Sequence, residues 1–337
     1  MQVVPLAVPP SSRGGVSCTA MDPRAAAGVK REAVGGAGAG SAPKRPAGMV
    51  PSFDARRIFL RDAQDPAGGD PHSESDTLNF SKCSAASRPG AAELLALAGK
   101  VASGDLVSLN LANVGICDEA ALALADALGA GSCALLALNV RGNWSTMEDD
   151  EVDPRGGVAL AKGLRPAGHN SSIAELDGGG NNLWGSEVAV AFAAAVRTPG
   201  TCSLLALDLQ GCAIGDTGAT AIASALQEGC SLTSLGIGWN QLSTDASTAV
   251  ALALQSPACK LQRLGHWRNN LRETGGRAIA ASLASAHCCL TELDIGWNEL
   301  GPVAGLAIAR ALASPDCKLT KLVAGNNAFG SAAGAPH

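Results

Sequence analysis

Leu232–Leu242 reads LTSLGIGWNQL, Leu261–Leu271 reads LQRLGHWRNNL, and Leu290–Leu300 reads LTELDIGWNEL. The three share the frame L-x-x-L-x-L-x-x-N-x-L, with His266 in one apolar slot, and each begins 29 residues after the one before. A fixed period of this size marks a repeat array. The residues after each Asn carry apolar side chains at i, i+3, i+4 and i+7, the spacing of one helix face. In one unit these are Ala219, Ile222, Ala223 and Leu226, and in another Gly305, Ile308, Ala309 and Leu312. One unit therefore reads as a short strand, a turn at the Asn and a helix running back. Such a unit cannot cover its own apolar face, so neighbours must stack to make a continuous core.

Eight units follow from this frame. Their first apolar positions are Leu106, Leu135, Ile173, Leu204, Leu232, Leu261, Leu290 and Leu319, with spacings of 29, 38, 31, 28, 29, 29 and 29 residues. The longest spacing holds an insertion after Asn143 that contains the acidic run Glu148-Asp149-Asp150-Glu151 and Asp153. The array spans 105–330, and 331–337 form a tail. Residues 89–104 read as a helix capping the first unit. Residues 1–88 lack sustained apolar periodicity and are rich in Gly, Pro, Ala and Ser, so they read as disordered. The composition of 1–50, with few acids, also fits an organelle transit peptide. Lys30-Arg31 and Lys44-Arg45 loosely resemble a bipartite nuclear-import signal, but a solvated tail accounts for them better. The last unit ends without its helix, which suits either a truncated sequence or an open end that self-associates.

Equivalent positions form columns. The helix position i+4 is Ala125, Ala161, Ala193, Ala223, Ala251, Ala280 and Ala309, and the i position is always Ala, Gly or Ser. Small side chains there let each helix lie close to the sheet. Six cysteines, Cys133, Cys202, Cys230, Cys259, Cys288 and Cys317, each stand two residues before the first Leu of a unit. A column of small hydrophobes accounts for them better than a metal site, since no C-x-x-C pair occurs and His287-Cys288-Cys289 overlaps the column. Thiols in this number point to a reducing compartment, hence cytosol or nucleus, and the expected location is cytoplasmic. The turn column is Val114, Asn143, Asn181, Cys212, Asn240, Asn269, Asn298 and Asn327. A buried Asn there satisfies turn amides and carbonyls, a structural role. Gly178, His266 and Ala324 replace a large aliphatic strand residue, which predicts loose packing or a local kink.

The start C-x-L-x-x-L-x-L-x-x-N and the helix Gly218–Leu226, GATAIASAL, resemble leucine-rich repeats of the ribonuclease-inhibitor type. That family includes ribonuclease inhibitor, the Ran GTPase-activating protein and the sensor arrays of NOD-like receptors. The resemblance implies an α/β horseshoe solenoid with a parallel sheet on the concave face and helices on the convex face. It covers about two thirds of the chain and specifies fold rather than function. The nucleotide-binding module of NOD-like receptors is missing from this sequence, which has no G-x-x-x-x-G-K-[ST].

The net charge of -5 gives no global attraction to nucleic acid or an anionic membrane, and no apolar run is long enough to span a bilayer. The five histidines are scattered, with no Ser/His/Asp or Cys/His grouping, so nothing reads as an enzyme, and no cofactor or metal is implied. In the strands, residues between the ladder Leu positions face solvent on the concave side. One column there reads Asn113, Gly142, Gly180, Gly211, Trp239, Arg268, Trp297 and Asn326, with Trp267 beside Arg268. The next holds Asp177, Asp208 and Asp294. Trp and Arg are enriched in binding hot spots. The expected function is a non-catalytic scaffold binding a protein partner through Trp239, Arg268, Trp297, Trp267 and these aspartates. A self-contained cation–π stack is the other account of the aromatic group, and an enzyme regulator such as a GTPase activator or inhibitor is the other function.

Overall fold

The computed structural model describes residues 76–83, 87–144, 154–164, 172–197 and 202–330. The basic pairs and transit-like composition of the N-terminus, the acidic run at 148–151 with Asp153, and the tail 331–337 all lie outside these residues.

One sheet of nine parallel strands runs in chain order. The strands are β1 Thr77–Asn79, β2 Ser108–Asn110, β3 Ala137–Asn139, β4 Glu175–Asp177, β5 Ala206–Asp208, β6 Ser234–Gly236, β7 Arg263–Gly265, β8 Glu292–Asp294 and β9 Lys321–Val323. Between them stand α1 Ala91–Ser103, α2 Asp118–Leu128, α3 Arg155–Gly163, α4 Gly185–Val196, α5 Gly215–Glu228, α6 Thr244–Ala253, α7 Arg272–Leu283 and α8 Gly301–Leu312. Every strand pairs with the next in the same register, so Leu78, Leu109, Leu138, Leu176, Leu207, Leu235, Leu264, Leu293 and Leu322 form one ladder. Each helix packs on the next. Parallel strands lie about 4.8 Å apart, whereas packed helices need about 8–10 Å. That mismatch forces an arc with the sheet on its inner side, a leucine-rich-repeat solenoid of α/β class.

The array starts earlier than the sequence frame placed it. Leu78 and Phe80 are buried, and β1 pairs with β2, so 77–83 belong to the sheet rather than to a disordered segment. Residues 91–103 then form the helix of that first unit. The frame overlooked this unit because Ser75 stands where a first Leu is expected, while Leu78, Phe80 and Cys83 fit the remaining positions.

The Asn column works as read. Asn269 Oδ1 accepts the backbone N–H of Asn240 and of Leu242, at 3.1 and 3.2 Å, and its Nδ2 donates to the Ile237 carbonyl at 3.1 Å. Asn298 repeats this one unit on, and Asn143 and Asn181 repeat it earlier. Cys212 keeps half of the function, because its thiol donates to the Gly178 carbonyl at 3.1 Å. The cysteine column is buried at Cys202, Cys230, Cys259 and Cys288 and half-buried at Cys133 and Cys317, and all are thiols.

Two expectations need correction. Packing at Gly178 is tight, because Trp184 fills the space: a Cβ on Gly178 would stand 2.4 Å from the Trp184 ring. Trp184 occupies the position that Ile214, Leu271 and Leu300 hold before other helices, and its ring meets Trp144 and Phe192 at 5.6 and 5.8 Å. His266 is likewise fully buried rather than loosely held. The small column is buried at Ala125, Ala161, Ala193, Ala223, Ala251 and Ala280, but Ala309 on α8 is exposed. β9 is the last described element after α8.

Candidate partner-binding face of the sheet

Side chains alternate along a strand, so the residues flanking each ladder Leu face the inner side of the arc. The hydrogen-bond ladder continues beyond the short strands and keeps the units aligned: Trp239 N–H donates to the Trp267 carbonyl, Arg268 to Gly296, and Trp297 to Gly325, at 2.8, 2.8 and 2.9 Å.

At this last rung the eight units from β2 to β9 turn through the left-handed region. Asn113, Gly142, Gly180, Gly211, Trp239, Arg268, Trp297 and Asn326 have φ between 53° and 73°. Gly and Asn enter that region cheaply, whereas other L residues meet a steric penalty. Trp239, Arg268 and Trp297 are therefore unfavourable at positions where Gly142, Gly180 and Gly211 serve the same turn.

Three of the four expected aromatic and arginine residues meet. The Trp239 and Trp267 rings lie 6.3 Å apart, tilted by 38°. The Arg268 guanidinium stands over the Trp239 ring, 5.2 Å from its centroid. Trp267 leans across the glycine of the preceding unit, Gly238, where a Cβ would be 2.3 Å from the indole nitrogen. Its N–H donates to Gln210 Oε1 at 3.1 Å, two units back, and only 8 % of Trp267 stays exposed. Trp297 stands one strand further along the same column and is 46 % exposed.

The aspartates are placed differently. Asp177, Asp208 and Asp294 are buried, and each Oδ1 accepts the backbone N–H two residues on, as Asn79, Asn110 and Asn139 do in their units. Arg141 joins two of them. Its Nε lies 2.9 Å from Asp177 Oδ2 and its Nη2 lies 2.6 Å from Asp208 Oδ2. Burial pushes the Asp208 carboxyl above the usual carboxylate range, against the downward pull of the Arg141 charge. Burial opposes the Arg141 charge too, but the two carboxylates outweigh it and hold the guanidinium protonated. Asp294 lies beyond Gly236 and Gly265, which fill this column in the two intervening units.

Arg141 and Gln210 escaped the sequence reading. Their contacts cross 36, 67 and 57 residues, so no spacing within one unit shows them. The one available signal was their shared column with Trp267. No set of three or more His, Cys, Asp or Glu among the described residues is arranged to hold a metal.

The family described as Leucine Rich repeat matches residues 201–223 and 286–309. Among solved structures, the chain is similar to the leucine-rich repeat-containing protein LegL7 from Legionella pneumophila, with 21 % identity, TM-score 0.43, and coverage of 75 % of this chain and 73 % of that one. It is also similar to a chain of the Rad7 and Elc1 complex in yeast, with 15 % identity, TM-score 0.40 and coverage of 68 % of this chain. It spans 59 % of the length of that yeast chain. No curated protein matches this chain.

Proposed function

We propose that this chain is a non-catalytic interaction scaffold that receives a protein partner on the inner face of its sheet, through Trp239, Trp267, Arg268 and Trp297. The observation that carries this reading is the backbone at Trp239, Arg268 and Trp297. A left-handed φ costs a bulky residue about 1–3 kcal/mol. Folding does not require that cost, because three other units make the same turn with glycine. Residues kept at strained positions, half-exposed and side by side, fit a contact surface. Arg141, Asp177, Asp208 and Gln210 hold the neighbouring part of the face rigid, and Asp294 bounds it. The thiol column supports a reducing compartment such as the cytoplasm.

The test combines binding with stability in the full chain carrying Trp239→Gly and Trp297→Gly. Proteins captured from the native cell by the parent chain are identified by mass spectrometry, and the variant is compared. The expected outcome is loss of the captured partner, with the unfolding free energy unchanged within about 1 kcal/mol as relieved strain offsets lost packing. If capture is unchanged, or the variant loses much more stability than that, the aromatic group is a structural stack and the reading fails.

A further inference from the structure

Among the described residues, four cations stand on the inner face: Arg141, Arg263, Arg268 and Lys321. Arg141 has two carboxylates, and Lys321 has Glu292 at 3.5 Å. Arg263 and Arg268 differ. The Nε of Arg263 donates to the Ser234 hydroxyl at 3.3 Å, and Arg268 stacks on Trp239. Neither has a carboxylate partner among the described residues, although both are half-buried. A guanidinium that has given up part of its water, with fork donors unspent, favours a bidentate anion.

Both arginines belong to the unit of β7. Arg263, Gly265 and Trp267 alternate onto the same side of the sheet, with Arg268 next in the chain. From Arg263 to Trp267 an extended backbone spans about 13 Å. Gly265 brings no side chain to the floor between the two cations, while the Asp208 and Gln210 side chains cover Gly236 beside it on β6.

We propose that this face binds an extended acidic segment of a protein partner, with carboxylates about four residues apart meeting Arg263 and Arg268 and the residue between them passing over Gly265. The proposal rests on the scaffold reading above and assigns its partner a chemistry: two like charges spaced to match two arginines that have no ion pair among the described residues, Glu292 beside Arg263 on β8 being paired with Lys321.

The experiment measures fluorescence anisotropy of two labelled peptides with the full chain at low salt. Both are nine residues long, N-acetylated and C-amidated, with leucine at the fifth position. One has glutamate at the third and seventh positions, and its twin has glutamine there. The glutamate peptide should bind about tenfold tighter or more. Arg263→Gln and Arg268→Gln should each remove most of that advantage, with circular dichroism unchanged. The proposal is overturned if the twins bind alike, if neither binds at millimolar concentration, or if either arginine variant binds like the parent. An oligouridine probe that binds tighter than the glutamate peptide also overturns it, assigning the face to nucleic acid. Binding that needs Trp297 but ignores the glutamates leaves the scaffold reading standing and removes this one.

Discussion

His266 shows how a single residue sets conditions on the fold. It occupies a strand position that Ile237 and Ile295 fill in the adjoining units, and it is fully buried. Its Nε2 has no hydrogen-bond partner, while Nδ1 lies 3.4 Å from Asn269 Nδ2. Burial pushes its pKa down to about 4, so the ring is neutral in the folded chain at neutral pH. Unfolded, it titrates near 6.5. The depressed folded value means that its contribution is intact above about 6.5 and is lost as pH falls toward 4. His266→Leu should remove this component of acid sensitivity. Urea unfolding at pH 7 and pH 4.5 should show a smaller loss for the variant, by about 2–3 kcal/mol. Equal losses in parent and variant would mean that His266 charges without leaving its site.

At the scale of the element, the columns were legible and the contacts between columns were not. The Asn ladder, the cysteine column and the small helix column each repeat once per unit, so period and residue type identify them before any coordinates. Trp184 could not be read as the filler of Gly178, because it lies one position off the usual frame and its size compensates for a residue in another column. Arg141 with its two aspartates depends on the same distance between units. The small column offers a test with a built-in control. Ala251 is fully buried between α6 and its neighbours, whereas Ala309, in the same column, is exposed. Ala251→Leu should overpack its layer and cost about 1–3 kcal/mol. Ala309→Leu should be neutral within about 0.5 kcal/mol. Thermal unfolding of the two variants checks this, and equal effects would mean that the helices do not rely on small residues for their approach to the sheet.

At the scale of the whole molecule, a solenoid has no single centre, and its stability is approximately a sum of units and the interfaces between neighbours. Where the first unit lies therefore matters. β1 and α1 together make one complete unit, which is the first of the described array, and cutting just before Asp76 should leave the melting temperature of the solenoid unchanged. Cutting before Ser87 removes β1, uncovers the edge of β2, and takes Leu78 and Phe80 away from the core they cover. Burial of two such side chains is worth about 1.5–3 kcal/mol each. The shorter chain should melt several degrees lower and, with its parallel edge exposed, should aggregate more readily. Calorimetry and light scattering on the two truncations separate the cases. Identical melting would mean that α1 alone seals the array and that β1 adds nothing to it.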